Sequence, residues 1–374
     1  MSAGAGGGAA ESGGDAVRGA APIALWLVPV ADDGGVARHV VDVARQGIPG
    51  HRVVVLCPEG ALARRLRAQG SAVTTGRFGT AAGLAASVRT LAATAGALRP
   101  AIVHSHLAHA DLVSAATPLP RGVRRLTTEH GIAGPDAVYH RSGAQARTMA
   151  LAHRARLHRF DGAIAVSQAT RQAMREKWHA VLPVDVVLNG VDAPAADAPS
   201  RGSRPAGALR VVSLSRLAPE KRIDALLEAF AVLHARVPGA TLTVAGEGPL
   251  DGALRAQASA LGLGDAVAFP GFADSARMLA EADVVAQLSV WENCSYTLLD
   301  AVARGLGVVA TAVGGNPEIL DRRSLVDADD PAAVARALQH QAEQPAAAAA
   351  PASVARMCAG IAGVYAGVSA RRAA

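Results

Sequence analysis

Two doubly wound α/β domains, each a parallel sheet with helices on both faces, are the fold this sequence predicts. Three observations predict it. From Ile23 onward, short runs of Val, Ile, Leu and Ala alternate with amphipathic stretches of helical period. The alternation breaks once, over residues 193–208 (APAADAPSRGSRPAGA), and then restarts. At 374 residues the chain also exceeds what one hydrophobic core usually serves.

Residues 1–20 are Gly, Ala and Ser with almost no large apolar group, and are expected to be a disordered tail. The first domain is expected over residues 21–192. Its buried strands are IALWLVPV, RVVVLC, AIVHS, RRLTTEH, GAIAVS and VDVVL, and its helices include GVARHVVDVARQ, ALARRLRAQ, HADLVSAA and QATRQAMREKW. Ala20 to Ala31, AAPIALWLVPVA, following Arg18, also has the length of a signal-peptide core. The Gly34-Gly35 turn and amphipathic helix that follow at once make it a first strand instead. Residues 193–208 read as an interdomain linker. A second domain, 209–345, repeats the pattern with LRVVSLSRL, IDALLEAFAVLHARV, ATLTVAGEG, DGALRAQASALG, AVAFPGF, DVVAQLS and GVVAT. Residues 346–374 carry a terminal helix, VARMCAGIAGVYAGV, expected to fold back on the first domain.

Composition narrows the function. The hydrophobic fraction of 51% is inflated by alanine, the aromatic fraction is 3%, and no apolar run nears the ~20 residues of a membrane helix. Too few aromatics are present for a single-stranded nucleic-acid platform, and the net charge of +6 is scattered rather than blocked, so no nucleic-acid partner is expected. The charge suits phosphate-bearing ligands. Cys57, Cys294 and Cys358 lie far apart without a C-x-x-C pair, which fits neither a disulfide framework nor a zinc site and points to a reducing cytoplasm. The basic stretch 141–159, with Arg147, Arg154, Arg156 and Arg159 among Met149, Leu151 and Leu157, is the candidate for peripheral contact with the inner face of a membrane. Its plain reading is a solvated helix.

Chemistry concentrates at strand ends. Glu292 and Asp300 stand with seven residues between them at a strand-to-helix junction in WENCSYTLLDAVARG. On one helix that spacing is ~12 Å, too far for one ligand atom but suited to the two ends of a long ligand. With Ser295 as N-cap, the free N–H groups of Tyr296, Thr297 and Leu298 favour a phosphate between the acids. Gly34-Gly35 opens a helix where a missing Cβ lets a ligand approach, though such pairs are also ordinary turns. Ser215-Arg216 ends a strand and Lys221 follows, so two fixed cations are expected across the pocket from the acids to meet a diphosphate. Each charge-assisted hydrogen bond there is worth ~1.5–3 kcal/mol. His130 closes RRLTTEH where a cleft-facing imidazole can position a hydroxyl.

Several patterns carry less. His104, His106 and His109 have metal-like spacing but no acid or cysteine beside them, and no metal site is expected. Gly246-Glu247-Gly248 lacks the third glycine of a dinucleotide fingerprint, since Asp251 stands there. Asp327-Ala328-Asp329 resembles a metal-binding acid pair, but Asp329-Asp330 precedes Pro331 and an alanine-rich helix, so capping explains the acids better. Cys294 has no activating base nearby in sequence and is read as a small loop residue.

The acid pair, followed by Gly314-Gly315-Asn316-Pro317-Glu318 and preceded by SLSRLAPEKRIDALLEAF and VAGEGPL, closely resembles the retaining glycosyltransferases of family 4. Gly34-Gly35, Thr128 to Gly131, VSQATR and LNGVD also match, so the likeness runs from about Ile23 to the end. It implies a GT-B fold, two Rossmann-like domains facing across a cleft. It also implies transfer of a sugar from a nucleotide diphosphate to a hydroxyl of a saccharide or lipid-linked acceptor in polysaccharide, glycolipid or glycoconjugate synthesis. Configuration is then retained, with no cofactor and no obligatory metal. In that scheme Arg216 and Lys221 hold the diphosphate, Glu292 the sugar and Asp300 the ribose, while His130 and Gly35 line the reaction centre. Gly34, Ser215, Gly246, Cys294, Ser295, Tyr296 and Thr297 complete the donor site. The sequence departs from the family at Asp300, where Glu is usual, and at Asn293-Cys294-Ser295, where a Gly-rich or Pro-containing loop is commoner. A nucleotide-sugar 2-epimerase of the same fold, and an inactive partner or regulatory protein, are the alternatives.

Overall fold

The computed structural model describes residues 21–32, 34–132, 143–194, 207–346 and 350–371. The predicted tail at 1–20 and most of the predicted linker lie outside them.

The first sheet is built from β1 (Ile23–Leu27), β2 (Arg52–Cys57), β3 (Val73–Thr75), β4 (Ile102–His106), β5 (Arg124–Glu129), β6 (Gly162–Ala165) and β7 (Val184–Val186). Between them run α1 (Gly35–Gln46), α2 (Ala61–Ala68), α3 (Leu84–Leu98), α4 (Leu107–Ala116), α5 (Gly143–Leu157) and α6 (Gln168–Trp178). All the strands are parallel, in the order β3-β2-β1-β4-β5-β6-β7. β1 is interior, paired with both β2 and β4, and Ala24 to Val28 are fully buried. That is why IALWLVPV is apolar without alternation.

The second sheet contains β8 (Ala208–Leu214), β9 (Gly239–Ala245), β10 (Val267–Gly271), β11 (Val284–Gln287), β12 (Gly307–Thr311) and β13 (Leu325–Val326), all parallel in the order β10-β9-β8-β11-β12-β13. Its helices are α7 (Ile223–Arg236), α8 (Asp251–Ala260), α9 (Ser275–Glu281), α10 (Tyr296–Ala303), α11 (Asn316–Ile319) and α12 (Pro331–Glu343). β8 starts at Ala208, the last residue assigned from sequence to the linker.

Several elements have no counterpart in the sequence reading. β3 and β13 are edge strands of three and two residues, too short to show a period. α3 buries Ala86, Ser87, Leu91 and Ala95, a face of mostly small residues with little contrast to the rest of the helix.

A last helix, α13 (Val354–Ala370), leaves the second domain and packs on the first. Its buried Met357, Cys358, Ile361, Val364, Tyr365 and Val368 join Trp26, Val40, Val43 and Ile164 in one core. Tyr365 accepts from Trp26 Nε1 at 2.8 Å, and its hydroxyl lies 2.7 Å from His104 Nδ1. No described helix is long and apolar enough to cross a membrane.

Each sheet reverses its winding once, between β1 and β4 in the first domain and between β8 and β11 in the second. Crevices at the carboxyl ends of the strands beside such reversals are where open α/β sheets bind ligands. Gly34-Gly35 follows β1, His106 ends β4 and His130 follows β5. Ser215, Arg216 and Lys221 follow β8, and Glu292 follows β11. The register His106↔Thr128 brings the two histidine-bearing strand ends level.

Candidate active site

Glu292 is the most constrained side chain of the site. Its Oε1 accepts from Gln287 Nε2 at 2.6 Å, from Ser289 Oγ at 2.8 Å and from Lys221 Nζ. No second partner holds Oε2 among the described residues. Gln287 is fixed in turn by Ser295, whose hydroxyl donates to Gln287 Oε1 at 2.9 Å. Ser295 is also the N-cap of α10, its oxygen 3.5 Å from Leu298 N. The loop is shaped from beneath by Gly314 and Gly315. A Cβ on either would fall 1.6 Å from the Glu292 carbonyl oxygen or 1.7 Å from that of Asn293. Gly314 also sits at φ 51°, where a side chain is strained.

Lys221 lies beside Glu292, not across the pocket from it, which corrects the arrangement expected from sequence. It is reached through a 3-10 turn at Pro219–Lys221, and Val290 N donates to the Glu220 carbonyl at 2.9 Å, tying that turn to the Glu292 loop. Arg216 stands apart from this pair. Its side chain is 70% exposed and bonds Glu220 at 2.6 Å, so it remains at the end of β8 without touching Lys221 or Glu292 in any described contact. Ser215 donates to the Arg216 carbonyl at 3.3 Å.

Gly246 lies against the turn that follows β8. At φ 144° it packs so tightly that a Cβ would lie 1.9 Å from the Ser215 carbonyl oxygen, so it makes room for the Ser215-Arg216 loop. Gly34 and Gly35, by contrast, have no atom within 4 Å of an added Cβ, which leaves open space beside the start of α1.

Asp300, its side chain 18% exposed, is engaged from the first domain. Both its oxygens are taken by Arg38 of the first domain, Nη2 to Oδ1 at 2.8 Å and Nη1 to Oδ2. The Arg38 guanidinium lies 4.5 Å over the ring of Tyr296, whose hydroxyl is 3.3 Å from His39 Nδ1. His39 Nδ1 is 3.2 Å from Asn189 Oδ1, and Asn189 Nδ2 donates to the Cys294 carbonyl at 2.9 Å. Thr297 is half-buried in the first turn of α10.

The two domains are stitched at this edge. Asn293 Oδ1 accepts from Thr170 Oγ1 at 3.0 Å and from Ile132 N at 3.3 Å. Glu318 accepts from the N–H groups of Gln168 and Ala169 at 2.8 and 3.0 Å, setting an acid of the second domain on the N-terminus of α6, where the helix dipole favours it. Cys294 is buried with Val166, Val191 and Leu299 in an apolar cluster spanning both domains, and burial pushes its thiol up to about 12. Its role there is packing.

His130 belongs to a histidine cluster on the first-domain wall. Its Nε2 is 2.8 Å from His106 Nδ1, and its ring meets that of His39 edge-on at 4.8 Å. Burial lowers His39 to about 4 and His104 to about 3, and holds His106 and His130 well below the usual imidazole range, with neighbouring histidines adding to the effect in the last three. All four rings are therefore neutral near pH 7. His39, His106 and His130 have ligand atoms within 4.8 Å of one another, and form the group among the described residues that could hold a metal. Zinc–nitrogen bonds of ~2.0–2.1 Å would require the trio to close in, and no acid or thiolate joins it. The sequence grouping of His104, His106 and His109 dissolves: His104 bonds Tyr365 and Thr128, while His109 bonds Ser87. Of the acids at 327–330, Asp330 caps the helix by accepting from Ala333 N, while Asp329 pairs with Arg222 and Asp327 accepts from Asp329 N within the turn.

The histidines make stability pH-dependent. A group whose folded pKa is depressed contributes stability above its unfolded pKa and loses it as pH falls. Stability is thus expected to drop from pH 6.5 downward, through about 4 for His39, at up to about 1.4 kcal/mol per pH unit for each proton gained on unfolding. Glu129, raised to about 7 by burial, opposes this between 4.5 and 7 because its neutral form is favoured in the folded chain. His39→Gln should flatten the acid limb of a melting-temperature profile. An unchanged slope would show that His39 is not a source of it.

The basic stretch is only partly as expected. Arg154 and Arg159 are exposed, and Leu151 is 65% exposed, but Arg156 is buried and pairs with Asp111 at 3.0 Å and Glu129 at 3.3 Å. It therefore leaves the proposed membrane face. Arg141 lies outside the described residues.

Sequence reasoning did not single out Gln287, Ser289, Arg38 or His39, and met Asn189, Asn293 and Glu318 only as members of motifs, without the contacts they make. Gln287 left a signal, as the one polar residue inside the apolar run DVVAQL after its opening acid. Arg38 left none, because it occupies an ordinary polar position of an amphipathic helix.

Comparison with known proteins bears on this geometry. Residues 33–194 match the family described as Glycosyltransferase Family 4, and residues 208–344 match Glycosyl transferases group 1. A GDP-mannose-dependent alpha-(1-6)-phosphatidylinositol monomannoside mannosyltransferase of Mycolicibacterium smegmatis is 34% identical over 210 residues, 50% of this chain and 54% of that protein. An alpha-monoglucosyldiacylglycerol synthase of Streptococcus pneumoniae is 30% identical over 175 residues, 43% of this chain and 39% of that protein. The chain thus spans about half or less of these relatives. Among solved structures, Anabaena HepE in complex with UDP and glucose superposes with TM-score 0.68 at 21% identity, covering 94% of this chain and 98% of that one. A glycosyltransferase from Rickettsia africae gives TM-score 0.67 at 17% identity, covering 94% and 96%.

Proposed function

The chain belongs to the glycosyltransferases of family 4 and group 1, with the GT-B fold, and from that membership we propose that it transfers a sugar from a nucleoside diphosphate sugar to a hydroxyl acceptor with retention of configuration. The observation that carries the proposal is the braced Lys221–Glu292 pair at the winding reversal of the second sheet. Three donors on one carboxylate oxygen fix Glu292 and leave the other oxygen for a sugar hydroxyl.

Departure of a nucleoside diphosphate builds negative charge, and fixed cations meet it without reorganising. Lys221 is set for that role, with side-chain exposure of 15% that limits screening by water. Exposed Arg216 would be drawn in by the diphosphate itself, exchanging Glu220 for phosphate oxygens. The free N–H groups of Tyr296 and Thr297 at the start of α10 add donors to the same charge. The open space beside Gly34 and Gly35 receives the diphosphate and sugar from the other side, and His130, neutral and held by His106, serves as a hydrogen-bonding wall to the sugar instead of a charged one.

GDP-mannose, named for a relative, and the UDP and glucose in complex with the structural neighbour HepE make UDP and GDP sugars the first candidates. The acceptor is a saccharide or lipid-linked hydroxyl. Thermal-shift screening of the purified chain against UDP, GDP and ADP sugars, followed by measured transfer or slow hydrolysis, tests the reading. At a donor concentration a hundredfold above Kd, stabilisation of about 2.7 kcal/mol is expected. A panel in which no nucleotide sugar stabilises the protein would overturn it.

A further inference from the structure

We propose that Arg38 is a positioning residue for the donor ribose, acting from the first domain through its two-pronged bond to Asp300 in the second. The inference rests on the reading of Asp300 as the acid that faces the ribose.

A carboxylate offers about four acceptor positions, and a forked guanidinium uses one on each oxygen. Two positions remain, enough for the neighbouring hydroxyls of a ribose. Arg38 is itself held on three sides: by Asp300, by the Tyr296 ring at 4.5 Å, and by Asp42 Oδ2 at 3.5 Å. Tyr296 lies one turn before Asp300 on the same face of α10, so Arg38 grips that helix at two successive turns. Its own place is set by the helix opening at Gly34, whose carbonyl accepts from Arg38 N at 2.9 Å. Asp300 is one methylene shorter than glutamate and reaches less far from its helix. An arginine crossing from the other domain both meets it there and fixes its rotation. The pair joins residues 262 positions apart, so holding the ribose and bringing the domains together become one event.

The test uses the full chain with UDP and GDP and their 2′-deoxy and 3′-deoxy forms, measured by calorimetry on wild type, Arg38→Ala, Arg38→Lys and Asp300→Ala. Wild type is expected to lose about tenfold or more in affinity when the contacted hydroxyl is missing, as for a hydrogen bond to a charged acceptor. Both Arg38 variants should bind the parent nucleotide about tenfold more weakly, since lysine lacks the fork. They should also lose most of the deoxy penalty, which a merely structural role would leave intact. Arg38→Ala added to Asp300→Ala should cost little more than Asp300→Ala alone. An unchanged deoxy penalty in folded Arg38→Lys would overturn the proposal, as would tighter nucleotide binding by Arg38→Ala, which would make the pair a barrier the donor displaces. A wild type that binds a nucleotide with no deoxy penalty would remove Asp300 from the ribose and the proposal with it. Binding of neither UDP nor GDP by wild type would instead overturn the donor reading on which it stands.

Discussion

Glu292→Ala and Lys221→Ala are each expected to lower turnover at least about tenfold while the protein stays folded, since each 1.36 kcal/mol of lost transition-state stabilisation is worth a factor of ten. The two substitutions act differently. Without Glu292, Gln287, Ser289 and Lys221 lose their common acceptor, and the ammonium is free to move away from where the leaving diphosphate would sit. Without Lys221, Glu292 keeps two neutral donors and its position, but the charge facing the diphosphate is gone. Lys221→Ala should therefore fall mainly on turnover, whereas Glu292→Ala should also weaken binding of the sugar part of the donor. Because the two side chains touch, the double variant should cost less than the two single effects combined. Steady-state rates on purified variants with matching melting curves decide the matter. Near-normal turnover in either would remove that residue from its role.

Arg156→Ala is expected to act on folding instead, lowering the unfolding free energy by about 3–5 kcal/mol, the range for breaking a buried ion pair from one side. Arg156 is 4% exposed and is the cation shared by Asp111, which is fully buried, and Glu129. Burial already raises the pKa of both acids, Glu129 to about 7. Removing the guanidinium would push them further toward protonation and would leave a gap beside Trp178, over whose ring Arg156 lies at 5.2 Å. Adding Asp111→Asn and Glu129→Gln to the arginine substitution should restore part of the loss, because the stranded charges would be gone. Urea unfolding at pH 7.5 reads both effects. A loss below about 1 kcal/mol, the size of a surface pair, would mean that the buried acids accommodate by protonation at little cost.

Much of the fold was legible without coordinates because it depends on local apolar runs. IALWL, RVVVL and GVVAT are continuous stretches that only a strand covered on both faces needs, and each is one. The Ser295 cap and the Gly34 helix start were equally local, and both stand where the sequence set them. What the order of residues did not show was hidden for a common reason. Gly246 was read by its motif, and nothing in that motif says that another strand brings the Ser215 carbonyl within 2 Å of where its Cβ would be. Arg156 was read as part of a basic surface, but α4 and β5 supply two buried acids to its guanidinium. Glu318 and VSQATR were both noticed, and nothing in the order of residues says that one caps the helix of the other.

The sequence by itself determined which segments become strands and helices, that they form two α/β domains, and that glycines, cations and acids stand at strand ends. Strand order, and with it the side-by-side placement of Lys221 and Glu292, the Arg38–Asp300 fork and the neutral histidine wall, was decided only by the tertiary structure. The reason is physical. Periodicity and capping act within a few residues, whereas parallel strands are joined by long crossovers, so which strand ends become neighbours is settled by packing among distant segments that leave no local trace.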